Sequence, residues 1–362
     1  MNFDFSDDQR LLQEEVRKML AATSTSAEVR KTLAGEAPYS AAVWRQLLDM
    51  GAAAAAIPEA YGGAGLGYLE LCLVAEEAGR HLAPVPLASS IYLAAEALLQ
   101  GGSEAQKQHW LPRIAKGEII ATAALGSAET YLTPAPLSFD GRTLNGSVSA
   151  LPDGSVAGLA ILRHDDELLL VDLAAAGVSR RALPSLDPTR PYAEISFAAT
   201  PAQRLGAGNC AALAQRVLDA AAVLLAFEQV GGAARTLDMS RDYALERKAF
   251  GRQIGGFQAL KHKMADIYTR NEMARVHAYY GAWALSSQAP ELPVAAAAAR
   301  VAATTAYNYA AEEAIEIHGG IGYTWEMDCH LHLRRARYLG QLIGSVHAWR
   351  ARLGDELVKG AA

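Results

Sequence analysis

The sequence predicts an α+β protein in three successive parts: an all-helical segment over residues 1–118, a β segment over 119–208 and a four-helix bundle over 209–362. Three observations carry this expectation. The apolar period is helical up to about Glu118, turns to alternation afterwards, and is helical again from about Asn209. Long stretches of the last part contain almost no helix breakers. Hydrophobic residues fill 51% of the 362 positions and charged residues 20%, which supports a sizeable core and excludes a disordered chain.

Each element has a local reason. Ser6-Asp7-Asp8-Gln9 has the form of a helix start, a capping hydroxyl followed by carboxylates at the positive end of the helix. Leu11, Leu12, Val16 and Leu20 then recur at helical spacing. A second helix around Ser40–Met50 carries Trp44, Leu47 and Leu48 on one face. Residues 57–67 read as a loop by their Pro and Gly content. Helices follow from about Tyr68 to His81, from about Ser89 to Gln100, and from Ser103 to Leu111-Pro112. Residues 159–163 and 167–173 read as strands around a tip, His164-Asp165-Asp166, where acidic residues mark a turn and not a metal site. Short strands and turns continue through Pro184, Asp187-Pro188-Thr189-Arg190-Pro191 and Ala193–Phe197. Four long helices are then expected, from Ala211 to about Ala244, Phe257 to about Gln288, Pro293 to His318, and about Trp325 to Val358. Their short connections argue for an antiparallel bundle, with Val217, Ala221, Leu224 and Leu225 in its core.

The net charge of −6 provides no basic footprint for nucleic acid. Cys72, Cys210 and Cys329 are far apart and form no CxxC pair, so they read as thiols in a reducing compartment. The first residues show neither a basic n-region nor an apolar h-region, and the alanine-rich run at 51–57 is too short to span a bilayer. A cytoplasmic protein without a membrane partner is the expectation.

The most informative stretch lies between Glu246 and Glu326. It opens with Glu246-Arg247-Lys248-Ala249-Phe250-Gly251, continues to Phe257-Gln258, and closes with Glu316-Ile317-His318-Gly319-Gly320-Ile321-Gly322-Tyr323-Thr324-Trp325-Glu326. An Arg presents a planar fork of donors that suits a phosphate, and a Gly-Gly pair lets backbone approach a ligand where a Cβ would collide. By spelling and order these stretches resemble the acyl-CoA dehydrogenases, flavoenzymes that desaturate acyl-CoA thioesters between the α and β carbons. The resemblance extends over nearly the whole chain. It includes the Pro58-Glu59-Ala60-Tyr61-Gly62-Gly63 loop, Glu76-Glu77-Ala78-Gly79-Arg80, and Leu111-Pro112-Arg113-Ile114-Ala115-Lys116-Gly117-Glu118.

The resemblance implies FAD as cofactor, held by two sets of contacts. For the adenine-diphosphate half, which this family draws largely from the neighbouring subunit, it assigns Arg247, Phe250, Gln258, Glu316, Gly319 and Gly320. Glu316 stands where the family usually has Gln, and a carboxylate near a pyrophosphate has to be turned away or paired. The set that holds the flavin ring is eroded. Leu125-Gly126-Ser127-Ala128-Glu129-Thr130-Tyr131 replaces a Thr-Glu-Pro-x-Ala-Gly-Ser-Asp loop. Ser147-Val148-Ser149-Ala150-Leu151-Pro152-Asp153 lacks the Trp-Ile pair that lies against the ring. The carboxylate base is missing at both of the family's positions, which fall here on Ile343 and Ala221. Glu228, two turns or about 10 Å beyond Ala221 on the same helix face, and Asp219 are the substitutes to weigh. His330 and His332 point to different sides of a helix and make no metal pair, and His318 reads as a helix C-terminal cap.

The losses are selective, which points to the base-less subunit of an α2β2 acyl-CoA dehydrogenase of the steroid-degrading type. The partners then expected are a paralogous base-bearing subunit, an acyl-CoA substrate, and electron-transfer flavoprotein or a similar acceptor. The alternatives are a self-sufficient dehydrogenase or flavin monooxygenase with a relocated base, and a flavin-free helical scaffold.

Overall fold

A computed structural model describes residues 5–126, 137–206 and 209–361. The chain begins with helices α1 (Asp7–Thr23), α2 (Ser26–Leu33), α3 (Ala41–Asp49) and α4 (Tyr68–Arg80). A nine-residue π-helix, Leu87–Ala95, runs into α5 (Glu96–Gly101), and α6 (Glu104–Ala115) follows. Side-chain caps start these helices where the sequence indicates: Ser6 with Gln9 and Ser103 with Gln106 form capping boxes. Two features depart from expectation. Helix α2 falls where no helix was expected, and α6 continues one turn past Pro112.

Among the described residues eight strands follow: β1 (Ala121–Ala124), β2 (Ser138–Phe139), β3 (Thr143–Pro152), β4 (Leu159–His164), β5 (Glu167–Asp172), β6 (Val178–Leu183), β7 (Tyr192–Pro201) and β8 (Gln203–Arg204). They form two four-stranded sheets, ordered β1-β4-β5-β8 and β2-β3-β7-β6. The β1–β4 pair is parallel and the other pairs are antiparallel. Leu144, Val148, Leu162, Leu169, Val171, Ile195 and Phe197 form a small core of their own between the sheets. The β4–β5 pair is the expected hairpin, with Asp165 at its tip in a left-handed conformation (φ +49°).

The last part consists of α7 (Cys210–Glu246), a two-stranded ribbon β9 (Lys248–Ala249) and β10 (Arg252–Gln253), then α8 (Gln258–Ser286), α9 (Leu292–His318), α10 (Cys329–Gln341) and α11 (Val346–Ala361). The expected single last helix is therefore two. Gly344 at φ +104° turns the chain between them, a backbone conformation that a residue with a Cβ rarely adopts. Helix α7 is long and apolar enough to cross a bilayer, yet 67% of its most apolar window is buried within the protein. It lies against α4 so closely that no side chain fits between them. A Cβ at Gly79 would stand 1.8 Å from the Glu228 carbonyl oxygen, and one at Gly231 would stand 1.9 Å from that of Glu76. Val217, Ala221, Leu224 and Leu225 are buried in the main core, as expected.

Candidate functional site

Helix α7 ends at Arg247, whose backbone turns extended (ψ 129°) while its N–H still reaches the Tyr243 carbonyl at 2.8 Å. The ribbon then reverses through Phe250 (φ +51°) and Gly251 (φ +78°), the two positive-φ positions of a tight hairpin turn. Gly251 adopts this without strain, whereas Phe250 does so at a cost of about 1 kcal/mol. The phenyl ring gains little burial within the chain, because the residue is 95% exposed and only meets Phe257 edge-on at 6.2 Å. Arg252 lies over the Phe257 ring at 4.1 Å, and the Ile254 N–H closes the ribbon onto the Arg247 carbonyl at 2.8 Å. Gln258 is exposed on the first turn of α8, where backbone N–H groups point outward.

Helix α9 ends beside α7. The Tyr243 and His318 rings stack at 4.5 Å, one turn before Arg247 and one residue before Gly319. Gly319 has φ +64°, and a Cβ built at Gly319 or Gly320 meets nothing within 4 Å, so the turn is open to an approaching molecule. Glu316 accepts the Tyr323 hydroxyl at 2.9 Å, and this bond pushes the Tyr323 pKa up. The carboxylate that stands in place of the family's Gln is thus paired. His318 does bond a last-turn carbonyl, that of Ala314 at 2.6 Å, but burial lowers its pKa. It serves as a neutral ring and not as a charge on the helix dipole.

All six residues assigned to the cofactor therefore gather at one end of the bundle, on exposed surface. Among the described residues no carboxylate pairs with Arg247, Lys248 or Arg252. Cationic side chains, outward N–H groups and an open glycine turn are the donor set that a dinucleotide's diphosphate requires. For the flavin ring, Ser127-Ala128-Glu129-Thr130-Tyr131 lie outside the described residues. Leu125 is buried, and Ala150 (φ +56°) sits at a bulge of β3.

The two base positions sit in the main core. Ile343 is 4% exposed in the α10–α11 turn, where the Trp349 indole N–H bonds its carbonyl at 3.1 Å, and Ala221 is fully buried in α7. Neither can take a proton. A cleft of about 940 Å³ lies elsewhere, between the start of α6, the β5–β8 edge and the start of α7. Glu228 is 0% exposed, and its Oε1 holds Arg190 Nη2 at 2.7 Å and Arg335 Nη1 at 3.5 Å. Arg335 also binds Asp187 at 2.6 Å and Thr189 at 2.8 Å, while Arg190 reaches the Val85 carbonyl. This network ties α7 and α10 to the 187–190 segment of the β part and to the loop after α4. Asp219 is bound by Arg352 of α11 at 2.6 Å, facing another way. His332 points inward to the Tyr307 hydroxyl at 2.9 Å, whereas His330 stacks under Trp325 at 4.4 Å, so the two diverge as expected.

The sequence matches the acyl-CoA dehydrogenase N-terminal domain over residues 6–118 and the acyl-CoA dehydrogenase C-terminal domain over residues 209–355. The acyl-CoA dehydrogenase IpdE2 of Mycobacterium tuberculosis is 33% identical, the match covering 97% of this chain and 98% of the relative. The chain belongs to the acyl-CoA dehydrogenase family. Among solved structures, the Tcur3481–Tcur3483 steroid ACAD (G363A variant) is 29% identical with a TM-score of 0.89, covering 98% of this chain and 99% of that one. The ChsE4–ChsE5 complex from Mycobacterium tuberculosis is 27% identical with a TM-score of 0.89, covering 99% of both chains. An acyl-CoA dehydrogenase family chain is an oxidoreductase with the helix–β–helix order seen here.

Sequence reasoning missed Arg190 and Arg335 as partners of Glu228, and Asp187 as the second carboxylate on Arg335. Arg190 and Asp187 fall in a stretch that reads only as turns, and Arg335 within the expected last helix. No local signal links positions 190, 228 and 335. A burial argument on Glu228, flanked by Phe227 and Gln229 in an apolar helix, could have demanded a cation, but could not have named it.

Proposed function

We propose that this chain is the base-less subunit of a heteromeric acyl-CoA dehydrogenase, whose exposed bundle end completes the FAD site of a base-bearing paralogous subunit. One observation carries the reading. The residues suited to a diphosphate are intact and outward-facing at one end, while both base positions are buried hydrocarbon. Arg247 would hold the diphosphate as a charge-assisted donor, the Gly319–Gly320 turn would admit it closely, and Phe250 would lie against the adenine half. When bound, the flavin supplies the hydride acceptor for the acyl chain.

The relatives support an assembly of two different chains, since two of the similar structures bear two protein names and one is called a steroid enzyme. A bulky, ring-containing CoA thioester is the substrate class this favours, with electron-transfer flavoprotein or a similar acceptor taking the electrons. The division at 118 and 208 into helical, β and bundle units belongs to the same reading. Glu228 is not a relocated base in this account: it is enclosed and its Oε1 is bonded to Arg190.

The test is the flavin absorbance of this chain purified alone and after co-expression with a paralogous, base-bearing acyl-CoA dehydrogenase subunit. Colour and desaturation confined to the co-purified complex, at about one FAD per pair of unlike chains, are expected. A yellow isolated chain reduced by an acyl-CoA would overturn the reading. Arg247→Ala in the complex is expected to lower flavin content at least tenfold, because it removes a charge-assisted phosphate contact of about 1.5–3 kcal/mol.

A further inference from the structure

Helix α2 has a thin seat. Only Val29 and Thr32 of its residues are buried, and Val29 packs with half-buried Leu33 on Leu82 and Leu331, in a satellite cluster separate from the main core. Polar contacts complete the seat. Ser26 Oγ donates to Asp328 at 2.7 Å, and Arg30 reaches the same carboxylate at 2.7 Å while lying 5.7 Å over the Trp325 ring. The Ser24 hydroxyl donates to the His81 carbonyl at 2.9 Å. A segment with so few buried contacts opens at a lower free energy than the bundle beneath it.

Two histidines lie at this seat, and arginines surround both. His81 ends α4 next to Leu82, and its Nε2 is buried with no hydrogen-bond partner among the described residues. The charged groups facing it are Arg17 of α1, Glu77 and Arg80 of α4, and Arg235 of α7, and Glu77 is already bound by Arg17 at 2.7 Å. His330 of α10 is half-buried and stacks under Trp325 at 4.4 Å, with Arg30 of α2, Arg334 of α10 and Asp328 at the α10 N-cap around it. Burial keeps both rings neutral, pulling the His81 pKa from 6.5 down to about 4 and lowering that of His330. A proton on either ring adds a cation where arginines outnumber carboxylates, and the open seat accepts that proton more readily than the closed one. The third histidine of the region, His332, is turned inward on Tyr307 and belongs to the bundle.

We propose that α2 is an acid-released strap: on acidification His81 and His330 take up protons, and residues 24–39 detach from the ends of α4 and α10 while the bundle stays folded. The strap holds residues 325–328 through Arg30 and Ser26, and this segment follows the open Gly319–Gly320 turn. Release therefore loosens the exit from that turn, whatever the turn binds. The sign follows from the two states. Stability of the closed seat is complete above about pH 7 and is lost as pH falls from 6.5 towards 4.

The experiment is hydrogen–deuterium exchange of the full chain read by mass spectrometry at pH 7 and pH 5, each rate divided by the intrinsic exchange rate at that pH. A ring that goes from a pKa of about 4 in the closed seat to 6.5 in the open one raises the opening constant about 20-fold between these pH values. Residues 24–39 are expected to lose protection by at least that factor in the wild type, and to exchange at pH 5 while α9 is still protected. His81→Gln/His330→Gln is expected to cut the change in residues 24–39 to less than about threefold, and His332→Asn is expected to leave it as in the wild type. Far-UV circular dichroism at pH 7 checks the fold of each variant, and the wild-type pH comparison stands without them. Protection of residues 24–39 that changes less than threefold in the wild type would overturn the proposal. So would loss of protection there only together with α9, which is global unfolding, or a folded double variant that releases α2 as the wild type does.

Discussion

Replacing Glu228 by Ala separates a structural carboxylate from a catalytic one. Glu228 is fully buried, and among the described residues Arg190, itself 1% exposed, has the Val85 carbonyl as its further hydrogen-bond partner. Arg335 keeps Asp187 and Thr189 when Glu228 is removed. The uncompensated charge is therefore mainly that of Arg190, and breaking a buried pair from one side costs about 3–5 kcal/mol. For a chain of this size that corresponds to a fall in Tm of about 4–7 °C. Glu228→Ala combined with Arg190→Met removes both charges and should recover roughly 2 kcal/mol of the loss, a coupling that a solvent-exposed pair would not show. Thermal and urea unfolding of the four chains of the cycle measure this directly. A loss below about 1 kcal/mol for Glu228→Ala, or a complex that stays fully stable yet stops desaturating its substrate, would refute the argument and return Glu228 to the list of bases.

Three further outcomes follow from the geometry. Gly79→Ala should cost more than about 3 kcal/mol or prevent folding, because its Cβ would stand 1.8 Å from the Glu228 carbonyl, and expression level and melting temperature check this. Ile343→Glu should destabilise the chain by a few kcal/mol and leave it unable to reduce flavin with an acyl-CoA on its own, since a carboxylate there is buried among hydrocarbon. Burial pulls the His332 pKa from 6.5 down to about 3, so the folded state binds its proton less tightly than the unfolded state. The stability this contributes is complete above about pH 7 and is lost as pH falls from 6.5 towards 3, amounting to about 2 kcal/mol between pH 7 and pH 5. His332→Asn should flatten that part of the stability–pH curve measured by urea unfolding.

The helix–β–helix order was legible because the apolar period changes at the two boundaries, and the β4–β5 hairpin because polar residues 164–166 interrupt two apolar runs. Helix α2 was not, although Thr25 and Glu28 spell a capping signature and Thr25 does accept the Glu28 N–H. Its eight residues bury only Val29 and Thr32, too few to set up a period. The break between α10 and α11 was marked by Gly344-Ser345 in the middle of an otherwise helical run. At the candidate site, the six cofactor residues could be placed by resemblance, but their convergence depends on the Tyr243–His318 stack and on which helix ends abut. The Glu228 network was out of reach for the same reason: its members meet only once three parts of the chain have packed.

The apolarity of α7 also has a consequence for synthesis. A ribosome releases this helix before α8 and α9, which supply much of its cover, and the end of α9 lies roughly 70 residues further on. At about 5–20 residues per second, a segment greasy enough to be mistaken for a membrane span waits several seconds beside a finished α4 with its Gly79 contact ready. The Gly79 and Gly231 seats give the nascent helix a place to lodge in that interval, which limits the time its apolar face is open to aggregation.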